Sequence, residues 1–383
     1  MIQRNSAAAA AGIVCLTIAA SAAAQNRSNA IEEVVVFAQK RAESVQDVPV
    51  AVSPITAQQI EDANIVDITD LGFLAPNTQL QAVSTFPGFA NFTIRGIGVS
   101  TSIRTLDPAV NVFTDGIVLG TQIGAVLDVF DVEAVEVLRG PQGIFFGRNS
   151  TGGAVVFRTA RPTEEFQGST KLTVGSHRTG EIETIVQGPL NDTLRAKLAV
   201  QLRRSDGMFE DNNGGTFAPA PNNPNGTQPE NPQKDQSGQE SIFIKPTITF
   251  QPSDDFDYTL FGQFYNDDGG GSATKAYIDP RLASPPLLTL FGYTPPDDQF
   301  DINHNLLGES KTQSWHLIGE GNWTIGNNVL TSVTGIREVT FDSSLDVDGA
   351  PFTLIHFPNN EEEASQFSQE LRYAMDISDR VDL

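Results

Sequence analysis

Histidines, acids and serines are the residues of this 383-residue chain that could do chemistry. A hydrolytic metal site needs two histidines three or four positions apart beside an acid, and none of the four histidines has that spacing. The run Asp267-Asp268-Gly269-Gly270-Gly271 could bind calcium, but it lacks the length and closing Glu of an EF-hand. Ser150 and Ser272 lack the turn that presents a nucleophile. The sequence therefore predicts no enzyme, no metal site and no cofactor.

The densest pattern is the run from Val135 to Ala154, which contains five glycines in twenty residues. No Lys-Ser or Lys-Thr follows Gly147, so the run is not a phosphate-binding loop. Its glycines indicate close backbone packing or positive φ angles. The run VEVLRGPQGIFFGRNSTGGA resembles the end of the plug domain of TonB-dependent outer-membrane receptors, with Phe145-Phe146 replacing an aliphatic residue and a tyrosine. QDVPVAVS (46–53), TIRGIG (93–98) and VFTDG (112–116) resemble further plug landmarks.

This resemblance implies a small α+β plug domain, which we place at residues 43–162. Within it, Thr56 and Gln59 have the spacing of a capping box and predict a helix from Ala57 to Ala63. Residues 69–74 predict a second helical turn. The remaining pattern predicts strands at residues 48–54, 92–97 and 109–116, the last ending at an Asp-Gly turn.

The amino terminus has the features of a secretory signal peptide over residues 1–24. Arg4 supplies the positive region, an apolar run follows, and Ala22 and Ala24 precede the expected cleavage before Gln25. The only cysteine, Cys15, lies inside this segment, so the mature chain is expected to contain no disulfide. Residues 25–42 then form a periplasmic leader.

Within that leader, residues 31–37 read as an acidic pair followed by β-formers. Alone, such a segment is most simply an edge strand. Beside a plug motif it resembles a TonB box, whose extended backbone can add to the sheet edge of a TonB-like energy-transducing partner. The predicted partner-binding residues are Glu32, Glu33, Val34, Val35, Val36 and Phe37.

Beyond Arg161-Pro162, long strands alternate apolar and polar residues, as at 194–203 and 256–265. Tight turns at 188–192, 251–255, 326–328 and 376–379 alternate with long polar connections at 205–240, 266–310 and 342–363. This pattern is typical of an antiparallel transmembrane β-barrel, with short periplasmic turns and long extracellular loops. We therefore assign residues 163–383 to about eight of the roughly twenty-two strands that close barrels of the resembled family. The expected barrel is incomplete, as in a fragment or a truncated product.

Several residues are candidates for roles in such a receptor. Arg95, Arg139 and Arg148 lie in plug motifs and are predicted to pair with carboxylates of the barrel wall, where bidentate geometry is useful; exposed cations are the simpler alternative. Glu181, Glu183 and Glu370 are the candidate partners. Ligand contacts are predicted at the plug apices, from Arg104, Gln122, Phe86 and Phe89; packing of the two phenylalanines within the plug is an equal alternative.

The resemblance implies a monomeric outer-membrane transporter that takes up a scarce, bulky solute. A ferric siderophore is the leading expectation, and carbohydrates, vitamin B12 and aromatic compounds are the alternatives. The chain carries 24 basic and 47 acidic residues, which argues against nucleic acid as a partner. Outer-membrane lipid would instead surround the strands. Two alternatives are a secreted β-rich binding or adhesion module and a non-transporting remnant of a receptor.

Overall fold

The computed structural model describes residues 35–37, 39–41, 43–83, 86–99, 106–125, 129–212, 235–277, 293–378 and 381–382. They form an N-terminal α+β domain that packs against an eight-stranded antiparallel sheet, which we call the wall. The predicted signal peptide, Glu32, Glu33, Val34 and Arg104 lie outside the described residues.

The N-terminal domain contains ten strands and three short helices. The helices are α1 (Ala57–Asp62), a 3₁₀ helix (Asp70–Phe73) and α2 (Gly143–Phe146). The strands are β1 (Val35–Val36), β2 (Glu43–Ser44), β3 (Val52–Thr56), β4 (Thr78–Val83), β5 (Phe86–Ile94), β6 (Ile97–Gly98), β7 (Val110–Thr114), β8 (Ile117–Val118), β9 (Val132–Arg139) and β10 (Gly153–Thr159).

The core of this domain is a five-stranded mixed sheet in the order β3-β9-β10-β7-β8, in which only β10 and β7 run parallel. Residues 135–138 of β9 are all buried, and Glu136 is the only polar side chain among them. The capping box of α1 is confirmed, since Thr56 accepts from the Gln59 backbone and Gln59 bonds back to Thr56.

The predicted single strand over residues 92–97 is wrong. The chain reverses at Arg95 and Gly96, whose φ angles are +54° and +76°, and Ile94 pairs with Ile97 across the turn. Two consecutive positive φ angles suit the tight hairpin turn that joins β5 to β6. The Arg-Gly pair therefore ends one strand and starts the next.

Thirteen further strands follow along the chain. They are β11 (Gln167–Val174), β12 (Gly180–Asn191), β13 (Leu194–Ser205), β14 (Phe209–Asp211), β15 (Asp235–Gln236), β16 (Gln239–Ser253), β17 (Phe256–Gly270), β18 (Asp301–Ile302), β19 (Glu309–Ile325), β20 (Asn328–Asp346), β21 (His356–Ala374), β22 (Asp376–Ser378) and β23 (Val381–Asp382).

Eight of these strands form the wall, in the order β11-β12-β13-β16-β17-β19-β20-β21. The expected number of barrel strands is therefore confirmed for the described residues. The predicted tight turns join β12 to β13, β16 to β17 and β19 to β20, while β14, β15 and β18 form a small sheet within the long connections.

The wall has two chemically different faces. Alternate residues such as Leu198, Ile248, Trp323 and Phe367 are exposed on the outer face, and the residues between them are buried against the N-terminal domain. This two-residue alternation is the pattern of a barrel strand that faces lipid on one side. Separately, the described part of the chain contains no helix with the length and apolarity needed to cross a membrane.

Candidate functional site: the interface between the N-terminal domain and the wall

Among the described residues, three segments of the N-terminal domain dock on the wall, and each combines apolar side-chain contacts with hydrogen bonds from a wall side chain to backbone carbonyl oxygens. At the first docking point, Phe130 packs on Phe243, Tyr265 and Ala199. The Phe130 and Phe243 rings meet edge-on with centroids 5.9 Å apart. Beside them, Lys245 Nζ donates to the carbonyl oxygens of Phe130 at 3.0 Å and Asp131 at 3.4 Å.

The second docking point repeats this arrangement on β20. Ile123 and Phe89 pack with Val339 and Phe341 of the wall. Arg337 Nη2 donates to the carbonyl oxygens of Ile123 at 3.1 Å and Gly124 at 3.4 Å. A side chain on Gly124 would meet Val339 at 3.0 Å and Arg337 at 3.1 Å, so glycine permits this close approach.

The third docking point uses a neutral donor. Ile117 packs on Phe261, Ile318 and Val333. Gln366 Nε2 donates to the carbonyl oxygen of Val118 at 2.8 Å, and the Gly120 N–H donates back to Gln366 Oε1 at 2.8 Å. The wall therefore recognises the backbone of these segments, and side-chain specificity comes from the adjacent apolar contact.

Ion pairs join the two parts of the molecule at three other places. Lys197 pairs with Asp131 at 2.7 Å, and both side chains are almost completely buried. Lys40 pairs with Glu370 at 2.6 Å. Arg161, which connects the domain to the wall, pairs with Asp257 at 3.0 Å and with Glu320 at 2.6 Å. These bonds tether the domain at both of its ends.

The described residues contain no pair between Arg95, Arg139 or Arg148 and a carboxylate of the wall, so these pairs stay a prediction. Arg95 and Arg148 are exposed, Arg95 in a hairpin turn and Arg148 in the bend after α2. Arg139 Nε is buried with no hydrogen-bond partner in the described part of the chain. The cations that pair with the wall are Lys40 and Arg161, outside the motifs. Of the predicted acidic partners, Glu370 pairs across the interface, with Lys40. Glu181 pairs with Arg203 and Glu183 with Lys171, both within the wall.

The predicted TonB-box segment ends in contact with the N-terminal domain. Val35 and Val36 form β1, which pairs with β2, and Val36 is fully buried. The Phe37 N–H donates to Glu136 Oε1 at 2.8 Å, and the Arg158 guanidinium lies 3.5 Å from the centroid of the Phe37 ring. We call this set of contacts the latch. Burial raises the pKa of Glu136, and the Phe37 hydrogen bond and nearby Arg158 partly oppose this shift.

A second buried acid fixes the end of the domain. Asp115 accepts from the Thr159 N–H at 2.7 Å and from Thr159 Oγ1 at 2.8 Å. Burial raises the pKa of Asp115, while Lys245 and the two Thr159 bonds lower it. Thr159 and Lys245 also line a cavity of about 30 Å³ between the domain and the wall. This volume accommodates about one water molecule, so the interface is closed to a bulky solute at this position.

Of the four predicted ligand residues, only Phe89 and Gln122 have described side chains, and they lie on neighbouring segments of the N-terminal domain. Phe89 is buried at the second docking point, where it packs on the wall, and the side chain of Phe86 lies outside the described residues. Gln122 is half-buried, and its backbone carbonyl accepts from the Ala90 N–H at 3.1 Å. The described residues contain no group of three His, Cys, Asp or Glu side chains that could hold a metal ion.

Residues 44–154 match the family model of the TonB-dependent receptor plug domain. Residues 44–154 are the plug domain of a TonB-dependent receptor. The wall agrees with this assignment, because the chain resembles the ferric yersiniabactin uptake receptor FyuA of Yersinia pestis with a TM-score of 0.67. That match is 17% identical and covers 87% of this chain and 47% of the other. The siderophore receptor PiuA of Acinetobacter baumannii matches with a TM-score of 0.64 and 17% identity, over 88% and 44% of the two chains.

Among curated proteins, the ferrioxamine B receptor of Salmonella typhimurium is 25% identical over 289 residues, which are 73% of this chain and 36% of the relative. The pesticin receptor of Yersinia enterocolitica is 26% identical over 51% of this chain and 28% of the relative. The chain thus spans about a third of the length of these relatives. The predicted fold, a plug followed by antiparallel barrel strands, and the predicted outer-membrane location are confirmed.

The sequence did not predict the wall residues that bond the plug at the docking points. Lys245 and Arg337 occupy polar positions of alternating strands. No nearby residue in the sequence indicates which group such a cation bonds. Gln366 lies inside the segment FSQELRYA, which carries a family resemblance but no indication of a contact with the plug. The Asp-Gly turn at 115–116 marked the end of β7, but it did not indicate that β8 contacts the wall.

Proposed function

We propose that this chain is part of a TonB-dependent outer-membrane receptor that imports a ferric siderophore. The observation that carries this proposal is the plug domain seated against barrel strands, with the candidate TonB box held by a latch of breakable contacts. The names of several similar proteins support this solute class: one is a ferrioxamine B receptor, one is a ferric yersiniabactin uptake receptor and one is a siderophore receptor.

In this proposal, residues 32–37 are the site of energy transduction. When a solute binds, the latch opens and the segment adds to the sheet edge of a TonB-like protein through backbone hydrogen bonds. Force on the segment reaches the plug through the covalent chain that follows residue 37, and it breaks the pair between Lys40 and Glu370 of the wall. The plug then leaves its docking points, and a path opens along the wall.

We further propose the domain boundaries given above: a signal peptide at 1–24, a periplasmic leader at 25–42, the plug at 43–162 and barrel strands at 163–383. The receptor is a monomer surrounded by outer-membrane lipid and does no covalent chemistry. An adhesion module would need neither the latch nor a partner segment.

The test uses two substitutions at Val36. Val36→Pro removes the N–H that a partner strand would bond, whereas the matched control Val36→Ala retains it. Uptake of ⁵⁵Fe-labelled ferrioxamine B and ferric yersiniabactin is measured in cells that express the receptor and lack their own receptors for these chelates. We expect energy-dependent uptake of at least one chelate, with a tenfold or greater loss in Val36→Pro and wild-type uptake in Val36→Ala. Uptake that is equal in both variants, or that survives a protonophore, contradicts the proposal.

A further inference from the structure

Five wall residues face the plug in one row across neighbouring strands, which we call the wall row: Lys245, Gln263, His316, Arg337 and Gln366. Gln263 pairs with His316, His316 with Arg337, and Arg337 with Gln366. Ile244 pairs with Phe264 and Thr247 with Phe261, so Lys245 faces Gln263 in the same register. Directly opposed side chains lie about 5 Å apart, so the row is continuous.

The cations of the wall row are buried but bonded to carbonyl groups. Arg337 is 4% exposed, and its hydrogen bonds go to the carbonyl oxygens of Ile123 and Gly124. Among the described residues it forms no ion pair with a carboxylate. Lys245 is 6% exposed and bonds the carbonyls of Phe130 and Asp131. His316, 5% exposed, lies between them. Of these residues, Arg337 is a buried cation without a described countercharge, and such a charge is costly, which calls for an explanation in a chain of net charge −23.

Capping a carbonyl does not require a cation. At the third docking point the neutral amide of Gln366 donates to the Val118 carbonyl at 2.8 Å, beside an apolar contact of the same kind. A neutral donor would avoid the desolvation cost at the other two points. The charge of Lys245 interacts with the plug carboxylates Asp115 and Asp131. The positive charge of Arg337 has no such partner among the described residues and is unnecessary for holding the plug, so it points to a second binding partner.

We propose that Lys245, His316 and Arg337 form an anion-binding site on the wall, which the plug carbonyls cover at rest and an anionic solute occupies when the plug moves away. The inference rests on the proposed transport function and deepens it by naming the solute's charge. Backbone carbonyls are weak, neutral acceptors, whereas carboxylates and chelate oxygens make stronger charge-assisted bonds to guanidinium and ammonium groups. The anion can thus replace the plug at the same donors.

The spacing of the row sets the class of solute. Lys245 and Arg337 are three strand spacings apart, or about 14 Å. A single small anion cannot reach both. A bulky chelate or polycarboxylate with anionic oxygens on opposite sides can, and the Arg337 guanidinium can hold one such group in a bidentate manner. The site therefore suits a large anionic complex better than a neutral or cationic one.

Competition between an anion and the plug carbonyls provides the test. Citrate, a tricarboxylate, serves as the probe, and amide hydrogen exchange of plug residues 117–125 and 129–139 is measured on the chain in detergent micelles. Sodium chloride of equal ionic strength is the reference. Because one citrate reaches only one of the two cations, we expect it to speed exchange in both plug segments at least threefold in the wild type. Arg337→Met should lose the response in residues 117–125, and Lys245→Met should lose it in residues 129–139. Arg337→Lys should retain the response, and so should the matched control Lys171→Met, whose ammonium lies on β11 away from the row.

Protection of wall amides in residues 309–325 shows whether each variant is folded. If Lys245→Met does not fold, Arg337→Met decides alone, because it leaves no described carboxylate unpaired. No citrate effect in the wild type, or the same effect in Arg337→Met, overturns the anion site. Either result would leave the outcome of the Val36 experiment unaffected. Conversely, absence of energy-dependent uptake together with an intact citrate response would contradict the transport function and still support the anion-binding site.

Discussion

At the scale of single residues, buried charges decide how firmly the plug and its latch are held. Glu136 is 1% exposed and accepts the Phe37 N–H, so its carboxylate carries a desolvation cost along with a useful bond. Arg158 lies close enough to stabilise the charge and also stacks on Phe37. The latch is therefore specific but only moderately strong, as a releasable contact should be.

We predict that Glu136→Gln stabilises the plug by about 1 kcal/mol at pH 7, because it removes a buried charge and keeps an oxygen for Phe37. The pKa of Glu136 is raised in the folded state. Its contribution to the free energy of unfolding is therefore fully present below the unfolded pKa of 4.5 and is lost as the pH rises through the folded pKa. Urea unfolding between pH 4 and pH 8 should show this fall in the wild type and a flatter profile in Glu136→Gln. A parallel pH profile for the two proteins would contradict the assignment.

Arg161 is the residue that we expect to matter most for the connection between plug and wall. Its guanidinium bonds Asp257, Thr259 and Glu320 at once. Arg161→Met should weaken this connection by about 1 kcal/mol, a modest value because the site is partly exposed. Arg161→Lys should weaken it by less, because an ammonium keeps the charge but lacks the planar fork of the guanidinium. Hydrogen exchange of residues 156–170 measures the effect. Unchanged exchange in Arg161→Met would show that the ion pairs do not hold the connection.

The plug–wall ion pairs that the structure describes use other cations than those singled out from the sequence. Arg95, Arg139 and Arg148 stood out because they lie in recognisable motifs. Lys40 and Arg161 lie outside those motifs, and their partners are about 330 and about 100 to 160 positions away. Such a pairing depends on the three-dimensional register of strands, which no local pattern encodes.

At the scale of elements, short plug segments meet wall strands at close range, and glycine makes this possible. Gly335 of β20 faces Ile117, and a Cβ at this position would lie 2.8 Å from Ile117 Cγ2. The approach is too close for any other residue without a shift of the plug.

We therefore predict that Gly335→Ala destabilises the docked plug by 1–3 kcal/mol, on the order expected for overpacking. Adding Ile117→Ala should recover part of this loss, because it removes the clashing atoms, so the two changes should be non-additive. Gly180→Ala is the matched control, since no atom lies within 4 Å of its Cβ position. Urea denaturation of the wild type, Gly335→Ala, Ile117→Ala and the double variant tests this double-mutant cycle. If the losses of stability from Gly335→Ala and Ile117→Ala are additive, the two residues are not in contact.

Elements with a local signal were predicted well. The capping box located α1, and the tight turns located the ends of β12, β16 and β19. The hairpin at Arg95-Gly96 was missed, because an Arg-Gly pair is not among the strong turn signals such as Asn-Gly and Asp-Gly. The docking points could not be predicted, since they depend on which face of each wall strand meets which plug segment.

At the scale of the whole molecule, the wall presents an apolar outer face bounded by aromatic residues. Phe250, Tyr258, Trp323 and Tyr373 are exposed near the short turns. Trp315 lies on the same face of β19, eight residues away, and its Nε1 donates to Glu338 at 3.0 Å. Eight residues of a tilted strand span about 20 Å of membrane depth, close to the height of the apolar band of a barrel.

We predict that both tryptophans lie near the two interfaces of a bilayer. In the reconstituted chain, lipids brominated near the headgroup should quench Trp fluorescence more than lipids brominated near the acyl end. Trp323→Phe and Trp315→Phe separate the two signals. Stronger quenching by deep bromines for either residue would contradict this placement of the wall.

The most direct test of the central claim, that residues 32–37 bind a TonB-like partner when the latch opens, is disulfide cross-linking at Val35. A cysteine there is combined with cysteines in the periplasmic domain of a TonB-like protein, and Ser44→Cys, on the strand paired with Val35, is the control. We predict cross-links at residue 35 that increase several-fold when Glu136→Ala removes the acceptor for Phe37, and few at residue 44. Equal cross-linking at both positions, or none at residue 35 with the latch open, would contradict the account.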